Sequence, residues 1–408
     1  MPIWNAPGSR SRLILAALAS AAFINLLWGL SRPALIPAGQ DIVIGVSNAQ
    51  SGAARFAGRD LVAGSEAYFK RTNANGGIGG RMIRTVVEDD RYEPDPAVRN
   101  TNDLITRQHV FFLFDYVGTP TLTHVLPLLK YYERERIVNV APLTGADPQR
   151  QPPYDRYVFN IRASYREETQ ALVDYLYGQG YRRIGFFGQA DAFGKTGEVA
   201  TAGALAKHGL KLVETVSYRR GTLFDADFRP QVEILRSSGV DAIVAFAVYD
   251  AWAAFIRDDR LAGWQAPIAN VSNAGASELL EKLLVCSRRV NRDLLSGVIG
   301  SAVVPAPSQL EYPLVAKFRA GMPLESRSFV ALEGWLNATV VCEALRRMRP
   351  NGSREDFAAA LESLDGWDPG LGLKLTFSPA CHQGLHKVWL ARASQTGWIP
   401  LDPAAATK

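Results

Sequence analysis

The stretch that decides the fold runs from Asp41 to Pro94 and reads DIVIGVSNAQSGAARFAGRDLVAGSEAYFKRTNANGGIGGRMIRTVVEDDRYEP. Its first apolar, β-branched run, Ile42 to Val46, predicts a strand that is buried on both faces of a parallel sheet. Apolar residues two helical turns apart predict a helix from Arg59 to Asn73, and a second strand is predicted from Met82 to Val87. This order of elements predicts one βαβ unit, the building block of a parallel sheet covered by helices.

Two glycine-containing segments connect the parts of this unit. Gln50 to Gly58 joins the first strand to the helix and carries one guanidinium, Arg55, and one large ring, Phe56. This segment is predicted to bind a ligand, because ligands of open α/β sheets lie at the carboxyl ends of the strands. Asn75 to Gly80 joins the helix to the next strand. A phosphate-binding loop runs from strand into helix, so this second segment is predicted to be a plain turn.

The order of these motifs resembles the start of a known family. The helix, the glycine turn, the acid pair Asp89-Asp90 and the helix initiated by Pro94 are similar to the opening of the leucine/isoleucine/valine-binding type of ABC-transporter substrate-binding proteins. The resemblance covers roughly Ile42 to Leu390. It implies an α/β fold of the periplasmic binding protein type I class, in which two Rossmann-like lobes with parallel central sheets are joined by three crossovers. It also implies that the ligand lies in the cleft between the lobes.

The length of the chain agrees with two lobes, since 408 residues are too many for one compact core. Beyond the first unit, strands and helices keep alternating, as in a parallel sheet with helices on both faces. We expect the first lobe to comprise residues 40–160 and 301–364, and the second lobe to comprise residues 161–300 and 365–408. The third crossover is expected over Leu361 to Thr376.

The N-terminal segment, residues 1–39, has the pattern of a targeting or anchoring sequence. Arg10 and Arg12 precede Leu13 to Leu30, which carry no charge. The run is longer than the usual apolar core of a signal peptide, so a cleaved signal peptide and an uncleaved membrane anchor both stay open, with a buried helix as the third alternative. Both leading interpretations place the folded part in the periplasm, either exported or anchored to the inner membrane.

Charge and cysteine usage exclude several classes of partner. The net charge is +5 and basic residues are interspersed with acidic ones, so no nucleic-acid partner is expected. Cys286, Cys342 and Cys381 are scattered, which is typical of neither a metal cluster nor a disulfide framework. A bridge between Cys286 and Cys381 stays open. His382 and His386 lie in a turn-like context and do not predict a zinc site, so no metal and no cofactor is expected.

Two threonines follow predicted strands of the first lobe. Thr119 comes after the strand Val110 to Phe114, and Thr144 comes after the strand Ile137 to Val140. Thr119 is predicted to be a helix N-cap with Pro120 in the first turn, so free backbone amides point back over the strand end. These amides and the two hydroxyls are suited to hold a carboxylate. Capping alone is the structural alternative for Thr119, and the two roles are compatible.

The resemblance supplies further ligand-contacting candidates. Tyr165 lies at the end of the first expected crossover, near both the hinge and the cleft. Phe193 and Tyr249 stand at the ends of strands where the family places aromatic rings against the ligand. Glu333 opens a late helix, and both a ligand contact and a structural ion pair are open for it.

At Ser272 the chain departs from the amino-acid binders of the family. Those proteins place an acid in this loop to pair with the ammonium of the ligand, whereas Ser272 and Asn273 are neutral. A buried ammonium that faces no carboxylate carries a large desolvation cost. Therefore either Asp250 or another acid takes this role, or the ligand is not an α-amino acid.

These features favour a solute-binding protein of a branched-chain amino acid type ABC transporter. Its expected partners are a small ligand, either an amino acid or a related aromatic or aliphatic carboxylate, and the permease subunits of the inner membrane. A membrane-anchored ligand sensor of the same fold is the alternative. An enzyme is not expected, because Gly45 to Gly58 lack a Gly-x-Gly-x-x-Gly loop and no Gly-x-Ser-x-Gly elbow occurs.

Overall fold

The computed structural model describes residues 40–272 and 277–401. The apolar run Leu13 to Leu30, Asn273 and residues 402–408 lie outside this part. Among the described helices, none combines the length and the apolar character needed to cross a bilayer.

The first lobe is built on a parallel sheet with helices packed against it. Its strands are β1 (Ile42–Asn48), β2 (Ile83–Asp89), β3 (Phe112–Phe114), β4 (Asn139–Val140) and β5 (Val158–Phe159). They lie in the order β2-β1-β3-β4-β5, and every neighbouring pair is parallel. The connecting helices are α1 (Arg55–Ala74), α2 (Pro94–Thr106) and α3 (Thr119–Tyr131).

The second lobe repeats the alternation before the chain returns to the first. Its elements are α4 (Tyr165–Gly178), β6 (Ile184–Gln189), α5 (Ala192–Ala206), β7 (Thr215–Tyr218), α6 (Arg229–Ser237), β8 (Ala242–Phe246), α7 (Tyr249–Leu261), β9 (Ile268–Asn270), α8 (Ser277–Val290) and β10 (Val298–Ala302). The chain then forms α9 (Pro313–Gly321), α10 (Phe329–Arg347) and α11 (Arg354–Glu362). It ends in the antiparallel hairpin β11 (Trp389–Ser394) and β12 (Gly397–Leu401).

The seven strands of the second sheet lie in the order β12-β11-β10-β9-β8-β6-β7. Strands β6 to β10 are parallel, and only the terminal hairpin is antiparallel to them. Two mainly parallel sheets with alternating helices confirm the expected α/β fold with two lobes.

Helix α1 begins four residues earlier than the sequence predicted. Arg55 and Phe56 therefore lie in its first turn and not in a loop. Gly58, which the prediction assigned to the loop, is a packing residue: a Cβ on it would lie 2.0 Å from the carbonyl oxygen of Ala49. The small residue lets the start of the helix press against the end of β1.

The expected capping role of Thr119 is also wrong. The N-cap of α3 is Gly118, whose φ of 103° is accessible to glycine, and Thr119 is the first helical residue. No side chain caps this helix. The hydroxyl of Thr119 instead pairs with that of Thr144.

Two crossings between the lobes lie side by side. The Asn160 N–H donates to the carbonyl of His382 at 2.7 Å, and the Gly384 N–H donates to the carbonyl of Asn160 at 2.8 Å. Just before this contact, Phe377 packs edge-on against Phe159 of the first sheet, with 5.4 Å between ring centroids. The chain thus still contacts the first sheet at Phe377, just after the segment Leu361 to Thr376 in which the third crossover is expected.

The three cysteines form no disulfide, and each of the two histidines contacts a glutamate. Cys286, Cys342 and Cys381 are free thiols, so the bridge left open between Cys286 and Cys381 is not formed. Nδ1 of His386 lies 2.6 Å from Glu167, and Nε2 of His382 lies 3.1 Å from Glu362. In residues 40–272 and 277–401, no group of three or more His, Cys, Asp or Glu side chains is arranged to hold a metal ion.

Helices α1 and α10 pack backbone to backbone in the first lobe. A Cβ on Gly64 would lie 1.8 Å from the carbonyl oxygen of Ala331, and a Cβ on Gly334 would lie 2.1 Å from that of Leu61. Neither position has room for a methyl group, so the two glycines fix how the helices cross.

Gly64→Ala is expected to lower the free energy of unfolding by about 2 kcal/mol or more, because the methyl group must push α10 away. Gly203→Ala is the matched control: Gly203 is exposed in α5, and nothing lies within 4 Å of an added Cβ. Alanine there should stabilise the protein by about 0.5 to 1 kcal/mol through helix propensity. Urea unfolding followed by circular dichroism measures both effects. Equal effects of the two substitutions would contradict the close helix contact.

Candidate functional site

Thr119 and Thr144 lie together at the carboxyl ends of the neighbouring strands β3 and β4. A bridge between Val117 and Leu143 holds the two loops side by side, and the two threonine hydroxyl oxygens are 2.8 Å apart. Both side chains are buried, and the Ala146 N–H donates to the hydroxyl of Thr144 at 3.3 Å. The arrangement offers hydroxyl groups beside the N-terminus of α3, which is a chemistry suited to an anion.

Tyr165 of the second lobe lies beside Thr144, and two further aromatic rings pack against Tyr165. Tyr165 lies 5.6 Å from Phe193 and 5.2 Å from Phe246, measured between ring centroids. A capping box at Ser164 fixes Tyr165 in the first turn of α4. Burial raises the pKa of Tyr165, although Arg162 and a hydrogen bond with Thr144 act in the opposite direction. The phenol therefore stays neutral. The sequence analysis selected Tyr165 and Phe193 as ligand contacts and did not select Phe246, because a ring at the end of a buried strand is typical of a core residue.

Arg55, Phe56 and Tyr249 form a contact between the lobes. The rings of Phe56 and Tyr249 meet edge to face at 5.1 Å, and the Arg55 guanidinium lies 4.3 Å above the Phe56 ring. The same guanidinium lies 3.7 Å from the carboxylate of Asp250, and the Lys282 ammonium group lies 3.2 Å from that carboxylate. Asp250 is therefore neutralised by two cations of the protein.

Ser272 and Glu333 are brought together by a residue that the sequence analysis did not select, Arg162. The Arg162 Nη2 donates to Glu168 Oε1 at 3.2 Å and to the hydroxyl of Ser272, and Nη1 lies 3.6 Å from Glu333 Oε1. Glu168 in turn accepts hydrogen bonds from the Ser272 N–H at 2.8 Å and from the Ser301 hydroxyl at 2.6 Å. One buried guanidinium thus links a crossing and the second lobe to α10 of the first.

Charges in this cluster shift one another's pKa. Burial raises the pKa of Glu333; the nearby Arg162 lowers it and Glu168 raises it further. Burial disfavours the charged form of Arg162, but the carboxylates of Glu333 and Glu168 outweigh it, so the net effect raises the Arg162 pKa. Arg162 therefore stays charged, while Glu333 holds its proton more tightly than an ordinary glutamate.

The lobes also touch along the rim of the cleft. Gln189 donates to the Tyr92 hydroxyl at 3.2 Å, and Arg220 pairs with Glu93 at 2.8 Å. In both pairs one residue belongs to each lobe. Together with the ring pair of Phe56, these contacts give the closed arrangement of the two lobes.

Two α/β lobes that are joined by three crossings and meet across a cleft define the fold class of the type I periplasmic binding proteins. Residues 41–397 match the family described as periplasmic binding protein, and the chain belongs to this family.

Several proteins are similar to the chain over most of its length. A possible leucine/isoleucine/valine-binding protein from Rhodopirellula baltica SH 1 has 28% sequence identity and a TM-score of 0.80, over 90% of this chain and 98% of its own. A substrate-binding periplasmic protein from Ralstonia solanacearum has 30% identity and a TM-score of 0.78, over 88% of this chain and 100% of its own. An amino acid binding protein from Pseudomonas aeruginosa is 26% identical over 262 residues, which are 64% of this chain and 67% of that protein.

Phe56→Ala is expected to weaken the closed arrangement by about 1 kcal/mol, because it removes an edge-to-face ring pair between the lobes. Small-angle X-ray scattering of the ligand-free protein should then report a larger mean radius of gyration. Tyr131→Ala is the control, since Tyr131 is 79% exposed on α3. If Phe56→Ala leaves the scattering unchanged, the ring pair does not hold the lobes together.

Proposed function

We propose that this protein is the periplasmic solute-binding component of a branched-chain amino acid type ABC transporter, and that it binds an amino acid or a related small carboxylate between its lobes. The observation that carries the proposal is the buried pair of Thr119 and Thr144 hydroxyls, 2.8 Å apart at the ends of adjacent strands. Family membership supports the transport role. Ligands of open α/β sheets bind at such strand ends.

Each candidate residue has a role in this proposal. Thr119 and Thr144 hold the carboxylate, and Tyr165 and Phe193 cover the body of the ligand. Arg55, Phe56 and Tyr249 join the lobes when the cleft closes, and Ser272 and Glu333, which both contact Arg162, line the opposite end of the site. No chemical change of the ligand is required, and the relatives whose names state a function are binding proteins.

Transport then depends on hinge closure. A ligand that contacts both lobes binds the closed form better than the open form, so it shifts the population toward closure. The permease subunits of the inner membrane recognise the closed shape. The segment Leu13 to Leu30 would direct the protein across that membrane or anchor it there.

Thr119→Ala combined with Thr144→Ala is expected to weaken ligand binding at least tenfold, because the carboxylate loses two hydroxyl donors. Thermal-shift screening against amino acids and small carboxylates identifies a ligand, since a hundredfold excess over Kd stabilises the fold by about 2.7 kcal/mol. Isothermal titration then gives the affinities. Thr106→Ala with Thr222→Ala is the control, because both hydroxyls bond only to nearby backbone on the surface. Unchanged affinity in the first double variant would place the ligand elsewhere.

A further inference from the structure

We propose that a second cavity between the lobes binds a small organic anion with an apolar body, and that its occupant favours the closed arrangement. The second lobe contributes Leu280 and Trp398 to this cavity, and the first lobe contributes Arg319, Arg327 and Phe329. Its volume is about 390 Å³, within the range of small-molecule sites, which is roughly 300 to 1,000 Å³.

This cavity is separate from the site of the proposed function. None of the candidate ligand contacts named above, such as Thr119 and Thr144, lines it. It lies instead between the N-terminus of α10, the helix α8 and the turn of the terminal hairpin. The inference therefore goes beyond the proposed function and can be tested without it.

Two guanidiniums give the cavity its charge. Arg319 and Arg327 line it, and no acid does so among the described residues. Arg319 Nη1 donates to the carbonyl of Pro307 at 3.4 Å; Arg327 donates through Nε to Met322 at 2.9 Å and through Nη2 to Arg319 at 2.8 Å, both times to the carbonyl oxygen. These bonds leave several N–H groups of both side chains for an anion.

Acids close to the cavity do not pair with these arginines. Asp60 accepts a hydrogen bond from the hydroxyl of Ser328 at 2.6 Å, and burial raises the pKa of Asp60 although this bond acts in the opposite direction. Glu325 belongs to the same loop as Arg327 and is exposed. In the part of the chain that the structure describes, neither Arg319 nor Arg327 forms an ion pair. An anion in the cavity would therefore meet two guanidiniums whose charge no carboxylate takes up directly.

The start of helix α10 adds to the attraction for an anion. Ser328, its N-cap, and Phe329, its first residue, both line the cavity. The N-terminus of a helix of this length carries a partial positive charge. It acts together with the two arginines, which lie on the same side of the cavity in the first lobe.

Apolar side chains form the rest of the lining. Leu280 and Phe329 are each 7% exposed, whereas Leu324 is 74% exposed and lies at the solvent edge of the cavity. Trp398 stacks on Trp252 with 6.3 Å between ring centroids. An inorganic ion would leave these apolar surfaces in contact with water, so they favour an anion that carries an apolar body.

An occupant of this cavity would contact both lobes. The charged end of the cavity belongs to the first lobe, and Leu280 and Trp398 belong to the second. A molecule that touches both lobes binds the closed form better than the open form, so it shifts the population toward closure.

Fluorescence titration of the purified full-length chain tests the inference with two dyes that share their rings. The anionic dye is 8-anilinonaphthalene-1-sulfonate, and N-phenyl-1-naphthylamine lacks the sulfonate. The sulfonate should bind at least tenfold more tightly than the neutral dye. Arg319→Gln combined with Arg327→Gln should lower its affinity at least tenfold and leave the neutral dye unaffected. Arg71→Gln with Arg134→Gln removes the same charge at exposed positions and should change neither affinity.

Leu324→Glu is a second variant that leaves the core intact, because this side chain is largely exposed. It places a negative charge at the edge of the cavity and should weaken sulfonate binding severalfold, whereas Leu324→Gln should not. In small-angle X-ray scattering, saturating sulfonate should lower the radius of gyration of the native protein but not that of the double arginine variant. An unchanged radius of the native protein would overturn the effect on closure.

The remaining outcomes separate this cavity from the site of the proposed function. Equal affinity for the two dyes, or equal losses in the arginine variant and its control, would overturn the inference and leave the proposed function untouched. If Thr119→Ala with Thr144→Ala removes sulfonate binding and the arginine variant does not, the anion occupies the other site and the inference fails. Displacement of the dye by octanoate supports an aliphatic occupant, and displacement by 1-naphthoate an aromatic one; displacement by neither would confine binding to the dye and overturn the inference.

Discussion

The close contact between helices α1 and α10 determines where several side chains of the cleft can lie. Because Gly64 and Gly334 leave no space between the helix backbones, neither helix can slide or rotate against the other. Arg55 and Phe56 occupy the first turn of α1, and Glu333 directly precedes one of the two glycines. The packing of the first lobe therefore positions both a contact that joins the lobes and a carboxyl group of the candidate site.

The contacts that close the cleft are few and individually weak. The edge-to-face pair of Phe56 and Tyr249 contributes about 1 kcal/mol, and the half-exposed pair of Glu93 and Arg220 contributes about 1 kcal/mol at most. Such contacts define the geometry of closure without making it irreversible. A ligand that touches both lobes adds enough free energy to decide the equilibrium, and its release lets the lobes separate again.

Sequence patterns were sufficient for the order of elements and for the threonine pair, because hydroxyls at the ends of adjacent parallel strands must meet at one sheet edge. Sequence patterns were insufficient where tertiary packing determines the start of a helix or the burial of a charged side chain. Gly58 was predicted to lie in a loop, whereas it is a helical residue whose missing side chain lets the helix approach the Ala49 carbonyl just after β1. Arg162 and Glu168 were missed because sequence does not show that a charge is buried. The available signal was a lone arginine in an apolar run, followed by the capping box of α4.

The side-by-side crossings at Asn160 and Gly384 have a mechanical consequence. Backbone hydrogen bonds tie the two segments together, between Asn160 and residues 382 and 384 and between Ile161 and Leu385, so the segments move as a unit when the lobes rotate. In a hinge rotation each lobe keeps its internal geometry, so the separations along the cleft change together. A partner that contacts both lobes at one place on the rim would therefore detect whether the whole cleft is open or closed.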